Sequence, residues 1–397
     1  KAFDVLQQIA TATHEDSVMM VNGTIDPYLQ VPRQVVRLRL LNASADRTYY
    51  FGLSDNSNFS LIASDGGLLT KPHQTNRVRL STGERVEILV DFGKYNLGQQ
   101  LYLKSYASEL PKGVIGADSV GTATMLMGEG YYENPLNGAD FDVLRFDVTT
   151  TTPNAITNIP TALVNRTPLP VSSVDAIHTL VFEPDTITSG EAGFVDGPFF
   201  INKAAFHIDS INYITYLNNT EIWTLINKTL VAHPFHIHDI QFYVLDINGN
   251  PPPPQYAGLK DVILVQPNDT LRFITKFETF ANEHVPYMYH CHLLHHEDEG
   301  MMGSFRVLDT TSTGITEPSN DMQRLLVYPN PANTVIQIQI NTHIALPVSI
   351  YNSLGVMVKH YPQFVGETLN QDVSVWEPGW YVVKAGQYTG SFLITSK

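Results

Sequence analysis

The sequence lacks several features that would each indicate a particular class of protein. It has a single cysteine, so no disulfide can form within the chain. Charged residues make up only 16% of it, the net charge is −15, and Lys/Arg clusters are few, so nucleic acid and anionic membranes are poor partners. No run of about 18 apolar residues predicts a transmembrane helix. No signal peptide is present and the chain opens with Lys1, so we expect the natural N-terminus to lie further upstream.

Short alternating runs of apolar and polar residues dominate the rest of the chain. VVRLRLLNAS (35–44) and VIQIQI (335–340) are typical of half-buried strands that end in turns. Three β-rich blocks follow one another, and stretches rich in Thr, Pro, Asn and Ser separate them. We predict domains at 1–146, 176–309 and 323–397, with linkers at 147–175 and 310–322.

Histidines concentrate in the second block, where eight of the 14 fall within residues 233–296. Two clusters stand out: HPFHIH, which starts at His233, and HCHLLHHEDEGM, which starts at His290. Successive side chains on a strand point to opposite faces. We therefore expect His290 and His292 on one face, Cys291 on the other, and His236 beside His238. Two metal centres would then lie on either side of one short peptide.

The cysteine face has candidate partners further along the chain. His296 and Met301 follow Cys291, and Gly300 allows the tight turn between them. His233 precedes a proline that breaks the alternation. Two histidines, a thiolate and a weak axial methionine make a blue-copper electron-transfer site. A Cys/His cluster more often binds zinc, and an HxH pair occurs in zinc hydrolases as well. The combined pattern favours copper.

These motifs resemble those of multicopper oxidases over residues 1–309. HPFHIH and HCHLLHHEDEGMMGSF are similar to the two copper signatures of the family's third domain, and VNGTIDPYLQVPRQVVRLRLLNAS, SLIASDGGLL and GERVEILVDF to its second domain. The nearest subgroup contains bacterial copper-efflux oxidases, bilirubin oxidases and spore-coat laccases. Together with the third block, the tail at residues 323–397, the resemblance implies an all-β fold of two cupredoxin-like Greek-key β-sandwiches followed by a small Ig-like β-sandwich.

The resemblance also implies an activity and a set of copper ligands. Such enzymes take single electrons from a reducing substrate at a type 1 copper and reduce dioxygen to water at a trinuclear copper cluster. The implied type 1 ligands are His233, Cys291, His296 and Met301. The implied trinuclear ligands are His236, His238, His290 and His292.

The sequence departs from the family in one respect. The trinuclear cluster needs eight histidines, and the family's first domain supplies four of them from two HxH motifs that are absent here. The isolated residues that do not replace them are His14, His73, His178 and His207. The opening KAFD resembles the end of the strand that begins the family's second domain. We therefore expect the first cupredoxin domain to be cleaved, disordered or carried on another polypeptide.

Three further residues have expected roles beside the copper ligands. Glu297 occupies the position where relatives have an acid that feeds protons towards dioxygen reduction. The alternative, equally favoured, is that Glu297 is a surface charge in the HEDE run. Asp261 matches an acid that fixes a type 1 histidine ring through its other nitrogen. His295 stands where relatives often have Glu, and we expect it to be solvated rather than a ligand.

The reducing substrate is less clearly indicated. Copper-efflux oxidases carry a Met-rich insert, and an Asp and a Met just before HPFHIH. Here no such insert is present, and the stretch reads KTLVA over residues 228–232. A phenolic or other organic donor is therefore favoured over cuprous ion.

The tail resembles a sorting domain of the type IX secretion system. The motifs that carry this resemblance are VYPNPANTVIQIQI, SIYNSLGVMV and GWYVVKAGQYTGSFLITSK. It implies passage through the periplasm, a final location outside the cell or on its surface, and the secretion machinery as a partner. A generic β-sandwich accessory domain is the alternative.

Two functions remain after this reading. The first is a laccase-like oxidase that is complete only with a further domain. The second is a copper-binding electron-transfer module without oxidase activity, which the missing HxH motifs favour. The four histidines predicted for the trinuclear cluster favour the oxidase, because an electron carrier does not need them.

Overall fold

The computed structural model describes residues 18–120, 134–184, 199–309, 325–386 and 388–395. It divides into two compact units, Lys1–Thr310 and Thr311–Lys397. Within the described residues, no helix has the length and apolar character that a membrane span requires.

The first part of the larger unit is a sandwich of two sheets. One sheet has the order β3-β11-β10-β5-β8 and the other β4-β9-β6-β7, with a small β1-β2 hairpin. The strands are β1 (Met20–Val21), β2 (Thr24–Ile25), β3 (Tyr28–Pro32), β4 (Val35–Leu41), β5 (Tyr49–Leu53), β6 (Phe59–Ser64), β7 (Gly67–Thr75), β8 (Val78–Leu80), β9 (Arg85–Asp91), β10 (Gln100–Tyr106) and β11 (Asp140–Thr149). β11 therefore continues past the boundary predicted at residue 146.

Side-chain alternation explains how this sandwich forms. Along β9 the side chains of Val86, Ile88 and Val90 are buried, and the residues between them are partly exposed. The buried face packs with Leu61 and Phe146 of neighbouring strands in one core cluster. Two short 3-10 turns, Phe92–Lys94 and Ala107–Glu109, follow β9 and β10.

The second part of the larger unit is another two-sheet sandwich. Its sheets have the orders β13-β12-β15-β19-β17 and β14-β21-β20-β16-β18. The elements are β12 (Ala176–Pro184), β13 (Phe199–Ile201), β14 (Tyr213–Tyr216), β15 (Thr220–Asn227), β16 (His233–Ile237), β17 (Phe242–Ile247), a 3-10 turn (Pro254–Tyr256), β18 (Val262–Val265), β19 (Thr270–Lys276), β20 (Tyr287–Cys291), helix α1 (Leu294–Asp298) and β21 (Met302–Leu308). Trp223, Phe235 and Phe273 lie fully buried in its core.

The smaller unit is built from one hydrogen-bonded sheet. Its strands are β22 (Leu326–Tyr328), β23 (Val335–Asn352), β24 (Met357–Asp372), β25 (Gly379–Ala385) and β26 (Tyr388–Ile394). β23 and β24 pair over a long distance with several register shifts, and such bulges bend a sheet around its own core. Ile336 and Ile338 of the VIQIQI run lie in that core, as predicted for a half-buried strand.

The observed architecture confirms the prediction of an all-β protein. Each sandwich of the larger unit includes parallel pairs among its mostly antiparallel strands, namely β3 with β11 in the first and β12 with β15 and β14 with β21 in the second. These pairs show that strands distant in sequence close the sheets, as expected where strands return across a sandwich.

Candidate metal centres

The histidine-rich motifs occupy two neighbouring strands. β16 pairs with β20 in antiparallel register, so Phe235 lies opposite Cys291, and His236 lies opposite His290. Because side chains alternate between faces, Cys291 points to one side of this sheet and His290 to the other. The structure accordingly forms two groups of potential ligands. We call them the cysteine cluster (His233, Cys291, His296) and the imidazole cluster (His236, His238, His290, His292).

The cysteine cluster is compact and closed to solvent. Cys291 Sγ lies 3.5 Å from Nδ1 of His233 and 3.5 Å from Nδ1 of His296, and the two nitrogens are 3.2 Å apart. At most 1% of each of these residues is exposed. The three ligand atoms lie within 4.8 Å of one another, so they could bind a single metal ion.

Local structure explains how these residues meet. β20 ends at Cys291, and α1 turns the chain back so that His296 faces the thiol. Gly300 then adopts a φ of +97°, a conformation that suits glycine, and the next residue, Met301, is fully buried in the same core cluster as Cys291. The Cys291 amide donates to the carbonyl of Met301 at 3.0 Å, which pairs the backbones of these two residues.

Burial sets the protonation states of the cysteine cluster. It lowers the pKa of His233 to about 3 and raises the pKa of Cys291 well above its ordinary value. Without a metal, His233 is therefore neutral, with an imidazole lone pair available, and Cys291 keeps the proton on its sulfur. A metal would bind as that proton leaves. Two imidazoles and a soft thiolate fit copper, and Met301, buried in the same core cluster as Cys291, offers a thioether.

Two neighbours of His233 were not predicted from the sequence. Nε2 of His233 lies 2.8 Å from Oγ1 of Thr229, which holds the far side of the ring. The Phe199 ring packs edge-on against His233 and His296, with centroids 4.8 and 4.6 Å away. Neither residue belongs to a motif, so only the folded chain reveals these contacts.

The imidazole cluster lies on the opposite face. Potential ligand atoms of His236, His238 and His290 lie within 4.8 Å of one another. The ring of His292 is beside them, 5.7 Å from that of His236 and 5.6 Å from that of His290, centroid to centroid. Burial lowers the pKa of His236 to about 4 and also lowers the pKa values of His238 and His292. Neutral imidazoles gathered in this way can bind a metal without first losing protons.

Oxygen atoms orient two of these rings. Nδ1 of His236 lies 2.8 Å from the backbone carbonyl of Asp261, and Nδ1 of His290 lies 2.9 Å from that of Cys291. A carbonyl can only accept, so each Nδ1 carries the proton and each Nε2 is left for a metal. Glu297 Oε2 lies 3.1 Å from Nδ1 of His290, and this hydrogen bond lowers the pKa of Glu297.

Two expectations from the sequence need correction. Asp261 meets His236 through its backbone oxygen, while Arg85 binds its carboxylate at 2.5 and 2.7 Å, so that carboxylate does not hold the ring of His233. The side chain of His295 is only 10% exposed rather than solvated. Its Nδ1 lies 3.0 Å from a carboxylate oxygen of Asp46, and its ring packs on His296 at 4.2 Å.

A cavity of about 870 Å³ opens beside the imidazole cluster. His236, His238 and Asp261 line it, together with Asp239 and Tyr287. Among the described residues, neither buried carboxylate oxygen of Asp239 has a hydrogen-bond partner, and burial raises the pKa of this residue to about 6. No sequence motif singles out Asp239, which directly follows the second histidine of HIH.

Family models match most of the larger unit and most of the smaller one. Models described as multicopper oxidase match residues 10–127 and 166–311, together more than half of the chain. A model of the secretion system C-terminal sorting domain matches residues 326–394. That match points to secretion or to the cell surface.

Individual relatives are similar at moderate identity. A laccase of Bacillus subtilis is 29% identical over 317 residues, which cover 73% of this chain and 54% of the relative. Cell division protein FtsP of Proteus mirabilis is 28% identical over 305 residues, or 76% of this chain and 57% of that protein. The chain spans about half the length of the curated relatives it matches.

A solved structure with the same fold is that of CueO from Ochrobactrum sp., described as a bacterial laccase-like multi-copper oxidase with oxidase activity towards lignin model compounds and lignosulfonate. It superposes with a TM-score of 0.60 at 29% identity, over 76% of this chain and 62% of that one. With both sandwiches matched by models of one family, the chain belongs to the multicopper oxidases and carries a secretion system C-terminal sorting domain at its end.

Proposed function

We propose that this chain is the copper-binding part of a laccase-like oxidase. The observation that supports this most directly is the covalent adjacency of the two clusters. Cys291 belongs to the cysteine cluster, while His290 and His292 on either side of it belong to the imidazole cluster. An electron taken up on the sulfur side would therefore have a continuous covalent path through a single peptide link to the imidazole side.

The proposed ligands follow from the two clusters. His233, Cys291, His296 and Met301 would hold the type 1 copper, and the four histidines of the imidazole cluster would hold half of a trinuclear copper site. When bound, copper would supply the one-electron chemistry that oxidises a donor and reduces dioxygen to two waters with four electrons and four protons. The remaining histidines come from a first cupredoxin domain outside the printed sequence, which the greater length of the relatives supports.

The protein's own groups would direct protons and exclude water. Thr229 and Phe199 hold His233 in a dry site. Glu297 is half-buried beside His290, so it can carry protons from solvent to the imidazole face. Asp239 and the cavity next to His238 would be covered by the further domain. The donor is a phenolic or other organic molecule, since the residues before His233 lack the Asp and Met of copper-efflux oxidases.

An electron-transfer module without oxidase activity is the second candidate. It needs only the cysteine cluster, which is complete within this chain. Export through the periplasm by the type IX machinery applies to both candidates, with the sorting domain as its signal.

Copper loading of the purified chain tests the proposal. We expect a blue thiolate-to-copper absorption band, which Cys291→Ser abolishes while copper at the imidazole cluster is retained. The double variant His236→Gln/His238→Gln is the matched control and should keep the blue band. A chain that binds zinc in preference and never turns blue would overturn the assignment. Four coppers in the chain reconstituted with its first domain, with dioxygen uptake, would support the oxidase over the electron carrier.

A further inference from the structure

The turn between β8 and β9 reaches from the first sandwich to the imidazole cluster. This turn, residues 81–85, has the sequence Ser-Thr-Gly-Glu-Arg. Glu84 braces it by accepting hydrogen bonds from the amide and the hydroxyl of Ser81, at 2.7 and 2.8 Å. The amide of Gly83 donates to the carbonyl of Asn42 at 3.0 Å, which ties the turn to its own domain. These hydrogen bonds hold the tip of the turn in a defined conformation.

The tip of this turn lies directly against the ring of His292. A Cβ atom added to Gly83 would come within 2.7 Å of both Cδ2 and Nε2 of that ring. Gly83 also has a φ of +83°, so only glycine satisfies both the backbone and the space. The backbone of the first sandwich thus forms one wall for the His292 ring.

The last residue of the turn reaches a second histidine through Asp261. Arg85 binds the Asp261 carboxylate with two hydrogen bonds, at 2.5 and 2.7 Å. The backbone carbonyl of the same aspartate accepts from Nδ1 of His236 at 2.8 Å. Arg85 therefore fixes the peptide that decides which nitrogen of His236 is free to bind a metal.

Buried charges hold the two domains in this register. Lys260, next to Asp261, is 1% exposed and lies 2.8 Å from Glu84 and 2.9 Å from Asp65. A buried lysine between two buried carboxylates requires defined geometry, because any displacement would leave a charge without a partner. The position of the turn is consequently coupled to the position of residues 260–261.

We propose that the 81–85 turn of the domain without copper ligands is a positioning element for the imidazole cluster. Gly83 sets the plane of the His292 ring, and Arg85 sets the tautomer and orientation of His236 through Asp261. The cysteine cluster has its own supports in Thr229 and Phe199. A defect in the turn should therefore damage one copper site and spare the other. This inference rests on the proposed copper function.

The first test is Gly83→Ala in the full chain loaded with Cu(II). The matched control is Gly98→Ala, because Gly98 has a φ of +79° and no atom of the described part of the chain lies within 4 Å of an added Cβ. Both variants carry the same backbone strain, and only one meets a histidine. We expect Gly83→Ala to bind copper at the imidazole cluster about 10- to 100-fold more weakly, with an unchanged blue band. Equal copper binding by the two variants, measured by titration and paramagnetic resonance, would overturn the role of Gly83.

The second test needs no metal. In Arg85→Met, nuclear magnetic resonance of the metal-free protein should show His236 losing its single Nδ1–H tautomer. Arg145→Met is the control, since Arg145 also binds a carboxylate with two hydrogen bonds and has the same 36% exposed side chain. An unchanged tautomer in Arg85→Met would contradict the proposal. A native chain without a blue band but with the Arg85 effect would instead refute the copper assignment alone.

Discussion

Thr229 Oγ1 lies 2.8 Å from Nε2 of His233, on the side of the ring that faces away from Cys291. The same hydroxyl lies 2.8 Å from Oδ1 of Asn227 and 2.9 Å from the carbonyl of Val231. Both of those atoms are acceptors, so they take up the single hydroxyl proton and the hydroxyl oxygen accepts from Nε2–H of the histidine. That arrangement leaves the lone pair on Nδ1, which is the atom that faces the sulfur.

Replacing Thr229 by valine should therefore weaken the cysteine cluster. Thr229→Val keeps the shape but leaves Nε2–H of His233 without its acceptor, and we expect copper affinity at this site to fall about 10- to 100-fold. Competition with a chelator, followed through the blue band, measures the loss. Thr149→Val removes a half-buried hydroxyl that donates to a backbone carbonyl in the first sandwich, far from either cluster in sequence, and should have no effect. Equal affinities in the two variants would rule out a role for Thr229.

The copper-free protein should lose stability as the solution becomes acidic. Burial lowers the pKa of His233 to about 3 and that of His236 to about 4, from 6.5. Between pH 6.5 and the lowered pKa of each histidine, that residue is protonated in the unfolded chain but not in the folded chain. The free energy of unfolding therefore falls as the pH falls from about 6.5. Each such histidine contributes at most about 1.4 kcal/mol per pH unit. Denaturant unfolding at a series of pH values measures the slope.

Two variants isolate the contribution of one histidine to this slope. His233→Leu removes a titrating group and should make the pH dependence shallower in this window. Phe199→Leu, a change in the ring that packs on His233, should lower stability by a similar amount at every pH. If the free energy of unfolding has the same pH dependence in His233→Leu and in the native chain, the lowered pKa of His233 is contradicted.

The sequence predicted which residues of the two clusters share a face, but not the contacts that support them. Alternation in His290-Cys291-His292 follows from strand geometry alone, as does the need for a turn at Gly300. In contrast, His295 meets Asp46, which lies almost 250 residues upstream, and Gly83 meets His292 across a domain boundary. Such contacts depend on how the two sandwiches pack. No local pattern encodes them, which is why His295 was wrongly expected to be solvated.

The buried lysine between the two sandwiches should contribute strongly to stability. Lys260→Met leaves the carboxylates of Asp65 and Glu84 buried without their cation, and we expect a loss of about 3–5 kcal/mol in the free energy of unfolding. Lys228→Met is the control, because Lys228 pairs with Glu183 at 3.0 Å with 57% of its side chain exposed. That pair should contribute less than about 1 kcal/mol. Similar losses in the two variants, measured by denaturant unfolding, would show that the buried charges are not coupled.

Glu297 should separate proton supply from electron uptake. Glu297→Gln retains an oxygen that can accept from Nδ1 of His290, now 3.1 Å from Oε2, but it cannot exchange a proton. In the proposed enzyme, loaded with copper and reconstituted with the proposed first domain, dioxygen reduction should slow by a factor of about 100 or more, because general acid–base groups contribute at least that much. Reduction of the blue copper by the donor, followed without oxygen, should keep its rate.

The neighbouring acid supplies the control for Glu297. Asp298→Asn removes an exposed charge from the same helix and should leave both rates unchanged. If Glu297 serves only to orient His290, glutamine will replace it and dioxygen reduction will proceed at the native rate. A slow oxidase with an altered pH profile and a normal blue band would instead identify Glu297 as the group that carries the proton. Stopped-flow measurement of blue-copper reduction and of dioxygen reduction distinguishes these results, because only dioxygen reduction involves a proton at the imidazole face.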